Sequence, residues 1–330
     1  MLLPTRRELL HGASGFTALA LAIAGAKAAT YPSRRIRLVV PFAAGGLNDV
    51  IARPWADKMS PSFGPVVVEN IGGAGGAVGS AVVARAAADG YTLLLGNTGN
   101  QIITPLAAPH ATYESAKEFR AIYRLASSGL AFVVHPSLPV KTLQELVAYG
   151  KANPGKLSYG SAGVGTTNQL AGEMFKLQAG IPDIVHVPYR GAAPATNDLI
   201  GGRLPMIVAA ITTQLLQLNQ DGKIRILALT TERRVASAPD IPTAVESGMP
   251  ELKIEVWFSL FAPKKTPDAI IDQLAQATRT VMSDAGLFET YRAAALEPDA
   301  DSTPEKAQKI VEAEIARLSP LIKSIGLKLE

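Results

Sequence analysis

The groups with the clearest chemical capacity in this chain belong to its backbone. At residues 36–49, IRLVVPFAAGGLND, a nearly continuous apolar run gives way to proline, an aromatic and a glycine pair, after which Asn48 and Asp49 open an amphipathic run. The pattern predicts a buried parallel strand, a tight loop and a helix N-terminus. At the carboxyl end of such a strand, N–H groups freed by glycine and the positive end of a helix dipole converge on one spot. An anion can sit there without a basic side chain. Residues 160–169, GSAGVGTTNQ, repeat the arrangement and add side-chain donors at Ser161, Thr166, Thr167 and Asn168. A third polar turn, Tyr189-Arg190-Gly191-Ala192, follows another short apolar run. On these residues alone, a strand-to-helix connection with no ligand is an equal reading.

Other chemistries find little to work with. The chain has no cysteine, so thiol catalysis, disulfides and cysteine-ligated metal are excluded. His11, His110, His135 and His186 share no metal-ligand spacing, and each reads as structural or surface rather than as a ligand or base. Gly73, Gly75 and Gly79 resemble a dinucleotide fingerprint, but the spacing is one residue too long and no acidic residue ends a following strand. The 160–169 loop lacks the Gly-Lys-Ser/Thr ending of a phosphate-binding loop, and Tyr159 stands where a nucleophile elbow needs glycine. With no placed acid, base, nucleophile or metal set, the expectation is a binding protein without a cofactor rather than an enzyme.

The elements that must position these loops fall into two sets. A chain of 330 residues exceeds what one core usually supports. The first set runs through strands at 36–40, 66–69 and 91–95, with a helix at 49–59 expected to bend or break at Pro54 and an alanine-rich helix ending near residue 88. A second set starts at residue 130, with a helix capped by Thr142 and Glu145, strands at 156–159, 184–188, 206–210 and 224–229, and helices at 169–179 and 193–200. An apolar segment at 254–263 precedes two helices announced by Thr266-Pro267 and Thr303-Pro304. If these return to the first set, the chain crosses twice, near 129–133 and 255–260. Such a crossing makes a hinge, with all three polar loops facing the cleft beside it.

The amino terminus reads as an address. Arg6 and Arg7 precede an apolar run at 16–26, too short to span a bilayer comfortably, and Ala26-Lys27-Ala28 suits signal peptidase. Residues 1–28 are therefore expected to be a signal peptide of an exported, periplasmic protein. Thr5-Arg6-Arg7-Glu8 also resembles a twin-arginine signal, and either export route is compatible. Without residues 1–28 the formal net charge falls from +4 to +2, so the charge gives no support to a nucleic-acid partner.

Eight motifs in order carry a family resemblance over almost the whole mature chain: IRLVVPFAAGG with Asp49, VVVEN followed by GAGG, DGYTLL, VVHPSLP, SYGSAGVGT, HVPYRGAAPA, IPTAVESG and WFSLFAP. They resemble the Bug family, periplasmic solute-binding receptors of tripartite tricarboxylate transporters. The resemblance implies an α/β, two-lobed, type II periplasmic-binding-protein fold with the ligand cleft between lobes. It further implies a small carboxylate as ligand, a di- or tricarboxylate, aromatic acid or acidic amino acid, and membrane permease subunits as partners of a monomeric receptor. The lobes expected are 29–130 plus 259–330 and 131–258. The implied ligand contacts are Phe42, Ala43, Ala44, Gly45, Gly46 and Asp49 in the first loop; Asn97 and Thr98 after the third strand; Ser161, Ala162, Gly163, Val164, Gly165, Thr166, Thr167 and Asn168 in the second lobe; and Tyr189, Arg190, Gly191 and Ala192. Gln169 stands where many members have histidine, Pro54 replaces a helix former and Pro205 replaces an aspartate. The first departure is expected to retune the ligand and the others to alter scaffold detail. A receptor of this kind could instead signal to a membrane sensor kinase.

Overall fold

A computed structural model describes residues 31–108 and 110–329. The expected signal peptide lies outside them. From Arg34 onward the chain is one compact unit, organised on a ten-stranded sheet network among the described residues.

The first part of the sheet is built as the apolar runs dictate. Strand β1 (Ile36–Val40) lies between β2 (Val66–Asn70) and β3 (Thr92–Asn97), both parallel to it, and Ile36, Leu38, Val39 and Val40 are fully buried. Helix α1 (Leu47–Phe63) connects β1 to β2, and a short 3-10 turn (Ala74–Gly76) with helix α2 (Ala77–Ala84) connects β2 to β3. Contrary to expectation, α1 is continuous through both Pro54 and Pro61. Pro54 withdraws the hydrogen bond to the carbonyl of Val50, which lies on the exposed flank of the helix where water can replace the lost donor. Helix α2 stops four residues before the expected end.

Strand β4 (Phe119–Val134) is the spine of the molecule and starts eleven residues earlier than the apolar pattern indicated. Its first half carries Arg120 and Arg124, which hid it. Arg120 pairs with Asp268, and Arg124 with Asp299 at 2.7 Å, so both arginines are accommodated at the sheet. Up to Gly129, β4 pairs antiparallel with β9, defined below; from Leu130 it pairs with a different set of strands.

That second set follows in chain order. Helix α3 (Leu143–Ala152), capped by the Thr142 hydroxyl accepting from the Glu145 N–H as expected, leads to β5 (Ser158–Ser161), α4 (Thr167–Ala179), β6 (Val185–Pro188), α5 (Ala192–Ile200) and β7 (Met206–Ala210). Helix α6 (Thr213–Gln220), for which the sequence reading had no element, precedes β8 (Arg225–Leu229). Strands β6, β5 and β7 are parallel to one another, and β7 and β8 each pair antiparallel with β4. Ala131, Val133, Leu199, Ile207, Ala209 and Leu229 form the centre of a buried core here.

Strand β9 (Glu255–Pro263) then returns beside β4 and also pairs with β3, closing the first part. Helices α7 (Asp268–Met282) and α8 (Ala285–Ala293), the two-residue strand β10 (Glu297–Pro298) and α9 (Pro304–Ser324) complete the chain. Two strands thus join the parts. At the junction, Thr230 donates its N–H to the carbonyl of Leu130 at 2.8 Å and accepts from the N–H of Ile254 at 3.0 Å. A Cβ at Gly129 would lie 2.6 Å from the Thr231 Cγ2, so only glycine lets the chains cross this closely.

Candidate ligand-binding site

The two loops singled out in the sequence are the same structure built twice. In each, a turn follows the strand, a glycine takes a left-handed conformation, and an extended N-cap residue starts the helix. The glycines are Gly45 at φ 85° and Gly165 at φ 76°; the N-caps are Gly46 (φ −87°, ψ 179°) and Thr166 (φ −86°, ψ 157°). In each, the N–H of the left-handed glycine is donated to a side-chain oxygen four residues on. Gly45 donates to Asp49 Oδ2, and Gly165 to Gln169 Oε1 at 2.8 Å. Gln169 therefore does for the second loop what Asp49 does for the first. The N–H groups left with no acceptor among the described residues include those of Ala44 and Val164 at the turn tips, of the N-cap residues Gly46 and Thr166, and the first two of each helix, on Leu47 and Asn48 and on Thr167 and Asn168.

Several polar side chains expected at the ligand hold the loops. Asp49, 6% exposed, also accepts from Asn70 Nδ2 at 2.9 Å and lies 3.5 Å from Arg53. Asn97 and Asn100 exchange bonds with each other's backbone N–H, and Asn97 reaches Asn48 Oδ1 at 3.3 Å. The Thr98 hydroxyl donates to the Glu255 carbonyl and accepts from the Trp257 N–H, both at 3.1 Å, so it ties β3 to β9. Asn168 Nδ2 donates to the Val208 carbonyl, and the Tyr189 hydroxyl donates to Asp198, which also pairs with Arg203. Those bonds hold the Asp198 carboxyl below the usual carboxylate range. Arg190 is exposed and forms no ion pair among the described residues.

The structure brings the loops together. Gly72 and Gly76 let the glycine-rich 72–79 turn close on Phe42 and Ala43: added Cβ atoms would lie 3.2 Å from the Ala43 N and 3.1 Å from the Phe42 ring. Gly79, one of the glycines that resembled a nucleotide fingerprint, is required by close packing too: a Cβ there would lie 2.5 Å from the Ile71 carbonyl oxygen and 2.8 Å from the Pro41 Cα. On the other side, the Gly191 N–H donates to Ala162 and the Tyr189 N–H to Ser161, fixing the third turn to the second loop. The two sides meet where a Cβ at Gly75 would be 3.3 Å from the Val164 carbonyl, and one at Gly99 3.6 Å from the Gly165 carbonyl.

Four residues at this place were not among the expected ligand contacts. Gly75 and Thr104 lie at the meeting point. Leu329, whose N–H donates to Ala107, packs where a Cβ at Gly165 would be only 3.0 Å from its Cδ1. His186 stands behind the second loop, its Nε2 2.7 Å from Ser161 Oγ. Histidine at alternate positions to Val185 and Val187 in a short strand was the available signal for the last.

The fold and the loops agree with a family model, that of the tripartite tricarboxylate transporter family receptor, which matches residues 51–327. The chain belongs to that family. The receptor resembles solved structures over about nine-tenths of its length. The periplasmic binding protein BugD is 34% identical, with a TM-score of 0.81 over 90% of this chain and 99% of that one. Rpa4515 of Rhodopseudomonas palustris, solved with adipate, is 33% identical, with a TM-score of 0.82 over 90% and 99%. MatC of the same organism, with bound malate, is 27% identical, with a TM-score of 0.81 over 88% and 100%. The receptor has the α/β, two-lobed fold of periplasmic binding proteins. No helix among the described residues is long and apolar enough to cross a membrane.

Proposed function

We propose that this receptor captures a small dicarboxylate between its lobes in the periplasm and delivers it, as a monomer, to the permease subunits of a tripartite tricarboxylate transporter. The observation that carries the reading is the duplication of the anion-directed loop. Two turns of one design, each ending in unpartnered N–H groups at a helix N-terminus, suit the two ends of one ligand. Adipate in one relative and malate in another are linear dicarboxylates, which supports that class. In this reading the hinge lies at Gly129–Leu130 and Thr230–Glu255, and closure brings the loops of both lobes onto the ligand.

The chemistry is sufficient without a buried arginine. Micromolar affinity corresponds to about −8 kcal/mol, and charge-assisted hydrogen bonds of roughly 1.5–3 kcal/mol each supply it after ordering costs. Asp49 is read as a loop holder, because a carboxylate repels the ligand proposed. Arg190, exposed at the rim, attracts it.

A thermal-shift screen of adipate, malate, tricarboxylates, aromatic acids and acidic amino acids tests the ligand class, since a bound ligand stabilises by mass action. A linear dicarboxylate should raise the melting temperature most. Stabilisation by aromatic acids alone would reject the two-ended reading.

A further inference from the structure

His186 is a titratable group set directly behind the second loop, and nothing in the capture just described uses it. It is half-buried on β6, its ring stacked on Tyr159 at 4.9 Å between centroids and 28° between planes. Tyr159 is itself immobilised: its hydroxyl donates to Glu173 Oε1 at 2.7 Å, and its ring packs where any Cβ on Gly172 would lie 2.3 Å away. The imidazole is thus held with Nε2 on the Ser161 hydroxyl. The ionisable groups acting on it are Tyr159 on β5, and Glu173 and Lys176 on α4, which pair with each other at 2.9 Å.

A serine hydroxyl has one proton and two acceptor positions. At Ser161, one acceptor position takes the Gly163 N–H at 3.1 Å, leaving His186 Nε2 and the Gly163 carbonyl, at 3.2 Å, to share the rest. With Nε2 bare, the serine proton points at the imidazole and away from the loop. With Nε2 protonated, the imidazole donates, and the serine proton is released toward the loop. The Gly163 carbonyl does not depend on it, because Thr166 Oγ1 already donates there at 2.7 Å. An anion at the Val164 tip is favoured by the second arrangement, and further by a full imidazolium charge.

We propose that His186 positions the Ser161 hydroxyl and links anion capture at the second loop to the uptake of one proton from solvent. The proposal rests on the anion-binding reading of that loop. The first loop has proline at the equivalent place, Pro41, so the linkage belongs to one end of the ligand only. The sign is determined. Burial holds the free imidazole below its usual value near 6.5, a bound anion raises it, and affinity therefore climbs as pH falls between the two.

The test combines calorimetry with imidazole NMR on wild type, His186→Gln, His186→Phe and Ser161→Ala. Adipate and malate are titrated at several pH values in buffers of different ionisation enthalpy. Wild type should take up protons and bind about tenfold tighter at pH 5.5 than at pH 8, the scale of one unit charge a few ångströms away when it is screened nearly as in water. His186→Gln should bind with no proton uptake beyond the ligand's own, and His186→Phe, which keeps the stack but not the hydrogen bond, should bind more weakly than His186→Gln at every pH. Equal proton uptake by wild type and His186→Gln would overturn the linkage. In ligand-free protein, Ser161→Ala should move the His186 titration and Nε2 shift; an unchanged imidazole would overturn the positioning. Failure of both dicarboxylates to bind would instead strike the ligand assignment, with the ligand-free NMR still deciding the pairing.

Discussion

At Gly45 and Gly165 the loop chemistry depends on a backbone conformation that side chains rarely adopt. A substitution argument based on sequence alone treats the glycine pair Gly45-Gly46 as equivalent, or favours Gly46 because it adjoins the helix. The structure separates them: Gly46 is extended, and an added Cβ there meets only the Ala43 carbonyl at 3.8 Å. Gly45→Val should therefore cost about 3 kcal/mol of dicarboxylate binding, from left-handed strain and loss of the Asp49 tether, whereas Gly46→Val should cost less than about 1 kcal/mol. Titration calorimetry on both variants, with folding checked by circular dichroism, decides it; equal losses would mean the loop needs glycine for space rather than for conformation. Which residues form the loops was legible in the sequence, because strand, glycine and helix start have compositional signatures. What each polar side chain does was not. Asp49, Asn97, Thr98 and Gln169 have the same donors and acceptors whether they face a ligand or a neighbouring backbone, and only the fold supplies the neighbour.

Among the elements, strands with continuous apolar faces were readable to within a residue or two, as in β1, β7 and β9. The first half of β4 was not, since its arginines are neutralised by Asp268 and Asp299, partners some 150 residues away or more. Where the middle of β4 meets the start of β9, a pocket of about 500 Å³ opens, lined by Ser127, Gly129, Thr231, Arg233, Glu255 and Glu297 among others. Burial raises the Glu255 carboxyl above its ordinary value near 4.5, only partly offset by Arg124. The folded state thus binds more protons than the unfolded one between 4.5 and the raised value. The stability Glu255 contributes is complete below that window and is lost as pH rises through it. Glu255→Gln should accordingly raise the melting temperature at pH 8 by about 1–3 °C, an effect of order 1 kcal/mol, and the gain should vanish below pH 4.5. A pH-independent shift would mean the glutamate is limited by packing and not by charge.

At the scale of the whole molecule, closure must be reversible, and the contacts that oppose opening decide whether it is. In the hinge proposed, β4 and the 230–254 segment cross between the lobes, which otherwise meet at the loops through small or backbone groups: Gly75 against the Val164 carbonyl, Gly99 against that of Gly165. An apolar side chain at this meeting is Leu329, carried there by a tail that turns at Gly326 (φ 64°), where the Leu327 N–H donates back to Ile322. Glycine faces bury little apolar area, so at about 25 cal/mol per Å² the closed form gains little from its own loops. A ligand that bonds to both lobes then supplies the differential that selects closure, as any ligand-driven shift requires. The ligand-free receptor should populate an open form, and its radius of gyration by small-angle scattering should contract when a dicarboxylate that binds is added to saturation. Loss of Leu329 through Leu329→Ser should enlarge the ligand-free radius further while leaving the saturated one unchanged, because the tail contact acts only where the loops meet. A radius that stays constant from zero to saturating ligand, in protein shown by calorimetry to bind, would remove the hinge and leave a rigid site.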